Sequence, residues 1–233
     1  MKKNSPQNVL VISAHPDDEV LGAGGTMAKH ILAGDNVTSV ILAEGMTSRD
    51  VTRDRDNRED DIAALRIASQ KAHDALGVTD FHLHDFPDNR MDSVDLLDVV
   101  KIVEDYVEKT QATIVYSHHR GDVNIDHHQI HDAVVTACRP LPGSTVKKLL
   151  FFQIASSTEW RPPGSSNGFL PNYFVDISNT LDKKITALEA YSVEMRPWPH
   201  TRSIKAVTHL AHWNGATVGV DAAEAFILGR DIQ

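Results

Sequence analysis

Short apolar runs and amphipathic stretches alternate along the first two-thirds of the chain. The runs at 8–14 (NVLVISA), 37–43 (VTSVILA), 80–86 (DFHLHDF), 113–118 (TIVYSH) and 147–154 (KKLLFFQI) have strand length, as expected of a sheet covered on both faces. Between them, apolar residues recur every three to four positions over 20–34, 57–76, 94–109 and 127–138. In the third of these stretches Val94, Leu97, Val100, Val103 and Val107 share one helical face. Strand–helix alternation of this kind predicts a Rossmann-like, doubly wound α/β fold: a mostly parallel sheet flanked by helices, with right-handed crossovers. After a loop over 160–172 rich in Pro, Gly, Ser and Asn, the pattern resumes with a strand-like YFVDIS (173–178). Helices over 180–192 and 201–213 and a closing AEAFILGR (223–230) follow. No repeat or linker divides the 233 residues, so one domain over 1–233 is expected.

Composition narrows the function classes. A formal charge of −9 argues against binding along nucleic acid, which favours a basic surface. The apolar runs are far too short for a membrane span, and the opening MKKNSPQ lacks a signal-peptide core, so a cytoplasmic protein is expected. A single cysteine, Cys138, cannot form an internal disulfide and reads as a buried small residue. Thirteen histidines, many of them within 118–131 and 200–212, hint at metal chemistry.

That chemistry has a place. Directly after the first strand come His15-Pro16-Asp17-Asp18-Glu19 and then Gly22, Gly24 and Gly25, at the strand end where doubly wound folds carry their sites. Three successive carboxylates repel and desolvate poorly unless a cation compensates, and Pro16 stiffens the turn that presents them. A second cluster, Ser117 to His128, follows the fourth strand and opens a helix. If strands one and four are neighbours, a histidine from this cluster completes a His-Asp-His set, which suits zinc and leaves a fourth position for water. One of Asp17 and Asp18 then binds the ion while the other acts as base; Asp18 as ligand is the natural division, although spacing also permits the reverse.

These residues resemble the LmbE-like or PIG-L family of zinc-dependent N-deacetylases. The match rests on Ala14-His15-Pro16-Asp17-Asp18-Glu19, the pair Asp126-His127, and Ala223-Glu224-Ala225-Phe226. The resemblance implies removal of acetyl from an N-acetylated amino sugar or its conjugate. It implies metal ligands at His15, Asp18 and His127, Asp17 as general base, Asp126 orienting a histidine or the substrate, and a homo-oligomer by family habit. Zinc is the family's ion, though this ligand set would also accept iron(II) or cobalt. One position departs from the pattern. Where many members read His-Pro-Asp-His and use the first histidine as acid or oxyanion stabiliser, this chain reads Asn124-Ile125-Asp126-His127. Asn124 can donate a hydrogen bond to an oxyanion but delivers no proton, which leaves His118, His128 and His200 as candidates for that role. His200 lies in Pro197-Trp198-Pro199-His200-Thr201-Arg202-Ser203, which resembles an element of members linked to nucleotide sugars and polysaccharides.

Arg58 and Arg66 sit on the helix expected over 57–76 after the charged loop, where the family often carries a substrate-binding arginine; pairing with helix carboxylates is at least an equal expectation for each. Glu44 ends the second strand at the same sheet edge and is a candidate substrate contact, whereas Phe86-Pro87-Asp88-Asn89 reads as a plain turn. At most one of Trp160, Trp198 and Trp213 is expected to stack on a sugar. Three rival readings stand: an iron(II) oxygenase, which would set its triad on a β-barrel; a phospho-acceptor receiver domain; and a sugar-binding protein that keeps the metal without the chemistry.

Overall fold

Strand β1 (Asn8–Ser13) sends Val9 and Val11 into one hydrophobic core and Leu10 and Ile12 into another, so the sheet is covered on both sides. The protein, here a computed structural model, is described over residues 5–233; Met1–Asn4, with the opening lysines, lie outside the described residues. After β1 follow α1 (Asp18–Ala33), β2 (Asn36–Ala43), α2 (Glu59–Leu76), β3 (Asp80–Phe86), α3 (Leu96–Thr110), β4 (Ile114–His118), α4 (Ile125–Ala137) and β5 (Lys148–Phe152). The chain closes with β6 (Tyr173–Asp176), α5 (Leu181–Ala190), α6 (Ile204–Val218) and β7 (Ala223–Asp231). No helix among the described residues is long and apolar enough to cross a membrane.

The seven strands form one sheet in the order β3-β2-β1-β4-β5-β7-β6. The first five are parallel, while β7 pairs antiparallel with both β5 and β6. Helices α1, α2 and α5 supply the core on one face, α3 and α4 that on the other. The chain leaves β1 towards β2 and β3, then returns to place β4 on the other flank of β1. Strands one and four are therefore neighbours, and their carboxyl ends bracket the crevice of a doubly wound fold. A receiver domain has the order 2-1-3-4-5 and an oxygenase triad needs a barrel, so this open sheet disfavours both.

Helix starts differ from the pattern-based expectation because capping sets them. Asn124 Oδ1 accepts the Asp126 N–H at 2.9 Å, which begins α4 at Ile125. Likewise Ser203 Oγ accepts the Ala206 N–H at 3.1 Å and moves α6 to Ile204–Val218, where Gly219 ends it. Helix α1 begins at Asp18 and is broken at Ala23, whose φ of −143° is not helical. The break is filled from the C-terminal third. Glu224 on β7 accepts the N–H groups of Gly25 (3.0 Å) and Thr26 (2.7 Å), while Lys184 on α5 donates to Leu21 O (2.8 Å) and to Glu224 (2.6 Å). Gly22 is needed beside the break: a Cβ there would lie 2.4 Å from the Phe152 ring.

Candidate metal centre

The turn between β1 and α1 is closed by Asp18 N–H bonding His15 O at 3.1 Å, with Pro16 inside it. Asp17 takes up φ +113°, in a region that side chains disfavour, and this twist turns Asp17 and Asp18 into one crevice. His15 Nδ1 lies 3.1 Å and His127 Nε2 3.2 Å from Asp18 Oδ2, and the three donor atoms fall within 4.8 Å of one another. Zinc bound at about 2.0–2.1 Å in a tetrahedron holds its donors about 3.3 Å apart, so two imidazoles and a carboxylate so placed fit a divalent ion.

Each imidazole has a carboxylate behind it. His15 Nε2 donates to Asp126 Oδ2 at 3.0 Å, and Asp126 is itself fixed by the N–H groups of Asn89 (2.7 Å) and Met91 (2.9 Å). His127 Nδ1 lies 3.1 Å from Asp122 Oδ2, off the line of a well-formed hydrogen bond, and Asp122 is held by Ser157, Thr158 and the Asn124 N–H. Such outer carboxylates orient ligating histidines and raise their basicity. Desolvation alone would push both imidazoles down. The Asp126 and Asp18 carboxylates instead raise His15 well above its ordinary value, and Asp18 and Asp122 raise His127 to about 9. Against the same desolvation, His127 and His15 hold Asp18 well below the usual carboxylate range. A histidine must lose a proton to offer its lone pair to a cation, so an ion bound by imidazoles whose pKa values are raised would release protons.

Asp17 does not join the donor set. It is buried, and Arg202 Nη1 donates to its Oδ2 at 3.0 Å. Desolvation raises its carboxyl well above the usual range, with Asp18, Glu194 and Glu19 adding to the rise and Arg202 opposing it. The pocket in front has a volume of about 210 Å³ and is lined almost wholly by polar groups, among them His15, Asp17, Asp18, His127, Asn124, Asp88 and Arg202.

The structure separates the other expected residues. Asn124 lines the pocket, but its amide is occupied by the α4 cap and by Asn89 Oδ1 at 2.7 Å. Glu44 is buried and does not line the pocket; its carboxylate accepts the Met46 (2.9 Å) and Thr47 (3.1 Å) N–H groups. Arg58 is paired with Asp50 and Asp61, and Arg66 lines a different surface depression. His118 Nε2 accepts the Ala14 N–H at 2.8 Å, and its ring stacks 4.0 Å from His127; burial pushes its pKa well down. His128 donates to Asp122 O and lines a separate groove with His119 and His131. His200 lies outside the pocket lining, with Nδ1 accepting the Arg202 N–H at 3.0 Å. None of the three candidate histidines lines the pocket, and the residue of the 197–203 string that does is Arg202. Asp88, read as part of a plain turn, also faces the site, 3.3 Å from His15 Nε2. Nothing in its local pattern marks it, because Pro-Asp-Asn is what an ordinary turn contains.

A family pattern described as PIG-L, GlcNAc-PI de-N-acetylase, matches residues 10–138, more than half of the chain. The chain belongs to this family. Within the PIG-L family, diacetylchitobiose deacetylase of Thermococcus kodakarensis is 26% identical over 194 residues, covering 81% of this chain and 70% of that protein. The structure of N,N'-diacetylchitobiose deacetylase from Pyrococcus horikoshii shares the fold with a TM-score of 0.75 and 20% identity, covering 97% of this chain and 85% of that one. The 4-carboxy-2-hydroxymuconate hydratase GalB from Pseudomonas putida shares it equally, with a TM-score of 0.75 and 20% identity over 97% and 98% of the two chains. The PIG-L scaffold thus resembles proteins named for different reactions, and the choice of chemistry rests on the site.

Proposed function

We propose that this PIG-L chain is a zinc-dependent N-deacetylase that removes acetyl from an amino sugar or sugar conjugate and acts in the cytoplasm. The observation that carries the reading is an open set of three donors, His15, Asp18 and His127, with a buried carboxylate beside it that binds no donor of the set. A divalent ion held there supplies a water whose pKa falls to about 7 and polarises a carbonyl. Asp17 takes a proton from the attacking water and delivers it to the amide nitrogen as the C–N bond breaks, giving acetate and a free amine. A carboxyl raised by burial suits a group that both accepts and returns a proton near neutral pH. Asp126 and Asp122 hold the two imidazoles in the tautomers that offer a lone pair to the ion.

The pocket favours a compact polar substrate. At about 210 Å³ it is smaller than the roughly 300–1,000 Å³ of drug-sized sites, and its hydrogen-bonding walls suit one sugar ring carrying an acetamide. The relatives named for acetylated glucosamine compounds, including the diacetylchitobiose enzyme and a probable N-acetyl-alpha-D-glucosaminyl L-malate deacetylase, support that class. The test is release of free amine and acetate from a panel of N-acetylated sugars, glycosides and nucleotide sugars by protein stripped of metal and reloaded with zinc, iron(II) or cobalt. Amine released in step with ion content supports the reading. Fully loaded protein that releases none from any member overturns it in favour of a sugar-binding protein.

A further inference from the structure

Five cationic or imidazole side chains line the pocket, and four of them are committed elsewhere. His15 and His127 belong to the donor set. Arg49 Nη2 is tied to Glu194 at 2.6 Å, and the exposed Arg196 is bent back onto the carbonyls of Val193 (2.7 Å) and Met195 (3.1 Å). Arg202 differs. Its Nε donates to Ser156 Oγ at 2.9 Å and its Nη1 to Asp17 Oδ2 at 3.0 Å, while Nη2 has no partner among the described residues and the side chain is only 22% exposed. The turn that carries it is braced before any ligand arrives. Arg202 N–H bonds His200 Nδ1 at 3.0 Å, Arg196 N–H bonds Arg202 O at 3.1 Å, and Ser203 N–H bonds His200 O at 3.0 Å.

We propose that Arg202 is a catalytic residue: the free edge of its guanidinium takes the negative charge that develops on the carbonyl oxygen of the substrate amide. This rests on the deacetylase reading above. As the water oxygen bonds the carbonyl carbon, the C=O π pair moves onto oxygen, beside Nη2. When the C–N bond breaks, that pair re-forms the carbonyl, and the proton held by Asp17 goes to the departing nitrogen. A guanidinium does not deprotonate in proteins, so Arg202 supplies charge and donors but no proton. That separates two jobs that one histidine could combine. Charge stabilisation goes to Arg202 and all proton transfer to Asp17, the residue it touches. The histidine at the Asn124 position is then dispensable, and Asn124 is free to cap α4. Preorganised donors of this kind act without rearranging during the reaction.

The experiment pairs turnover with binding of glucosamine N-methylphosphonamidate, a tetrahedral anion in place of the planar acetamide. Zinc-loaded wild type, Arg202→Met, Arg202→Lys and Asp17→Asn are compared, with metal content and circular dichroism recorded for each. For Arg202→Met the expected result is a fall in kcat of about 100- to 1,000-fold with KM within a few-fold, and a similar loss of phosphonamidate affinity. Arg202→Lys should recover part of both, because it restores the charge without the fork. Asp17→Asn should lose turnover but keep the phosphonamidate. If Arg202→Met fails to fold, the Lys variant alone decides, by a smaller loss of kcat and phosphonamidate affinity together. Unchanged phosphonamidate affinity in the Arg202 variants overturns the proposal, as does an equal loss in Asp17→Asn, which would reduce Arg202 to holding Asp17. A wild type that releases no amine overturns this proposal together with the deacetylase reading, whereas an active wild type with unaffected Arg202 variants overturns this proposal alone.

Discussion

Two groups of buried charge lie at the two ends of the first segment of α1, and they are built in opposite ways. At the break in the helix, Lys184 and Glu224 face each other at 2.6 Å, and both Glu224 oxygens also take backbone N–H groups. At the start of the helix, Asp17, Asp18 and Glu19 are equally buried, yet their partners include two histidines aimed at one oxygen and an arginine with a free edge. The first arrangement is closed and leaves nothing for a ligand. The second is open towards a pocket and poorly compensated by the protein alone, which is where chemistry is expected. Burial of charge therefore does not by itself mark a site. What marks it is burial combined with valences that the protein leaves unfilled.

Substitutions can break this contrast or sharpen it. The largest effect is expected for Asp17→Asn, which should lower kcat by up to about 10,000-fold, or about 5 kcal/mol of transition-state stabilisation, with metal content unchanged by elemental analysis. On the closed side, Lys184→Met should leave Glu224 buried without its cation and cost about 3–5 kcal/mol in urea unfolding. The double variant Lys184→Met/Glu224→Leu should recover much of that loss; a double variant no better than the single would show that the pair does more than satisfy itself.

His73 adds a third buried group for comparison, closed like the first but titratable. Its Nδ1 donates to Ser69 O at 2.8 Å and its Nε2 accepts from Ser39 Oγ at 3.0 Å. Burial, partly opposed by the Ser69 carbonyl, lowers its pKa to about 4. Between the unfolded value near 6.5 and about 4, the unfolded chain binds the extra proton, so this residue's contribution is present above pH 6.5 and lost as pH falls towards 4. His73→Gln should therefore lose about 3 kcal/mol less stability than wild type between pH 7 and pH 4, read as the change in urea unfolding free energy. The smallest effect is expected for Asp122→Asn, which should weaken metal binding by about 10- to 100-fold in a chelator competition while leaving the fold intact. Affinity that did not change would remove Asp122 from behind His127.

The five parallel strands and the cluster at the end of the first of them are legible in the sequence because both are local. Apolar runs report burial directly, and His15-Pro16-Asp17-Asp18 places an imidazole and two carboxylates within four residues at a strand end. What was not legible depends on distant pairings. Asp88 and Arg202 reach the pocket from segments about 70 and 185 residues beyond Asp18 and Asp17, and a turn residue or a helix-preceding arginine carries no periodicity. The 197–203 string drew attention for its histidine, yet the imidazole faces the backbone and the arginine two positions later faces the site. Glu44 shows the same limit. Its place at a strand end is right for a site, but its carboxylate is satisfied by the two residues after Gly45.

The break in α1 also has a consequence for the order in which the molecule can be completed. The three candidate donors, His15, Asp18 and His127, have all been synthesised once residue 127 has left the ribosome, but the Glu224 carboxylate that fills the break in α1 follows only with β7. Until β7 docks, a nascent chain carries Asp18 on a helix whose Gly25 and Thr26 N–H groups lack that acceptor. A helix that opens with Asp18 is thus completed by an acceptor 199 and 198 residues beyond Gly25 and Thr26, and its broken segment is filled only after β7 has been made.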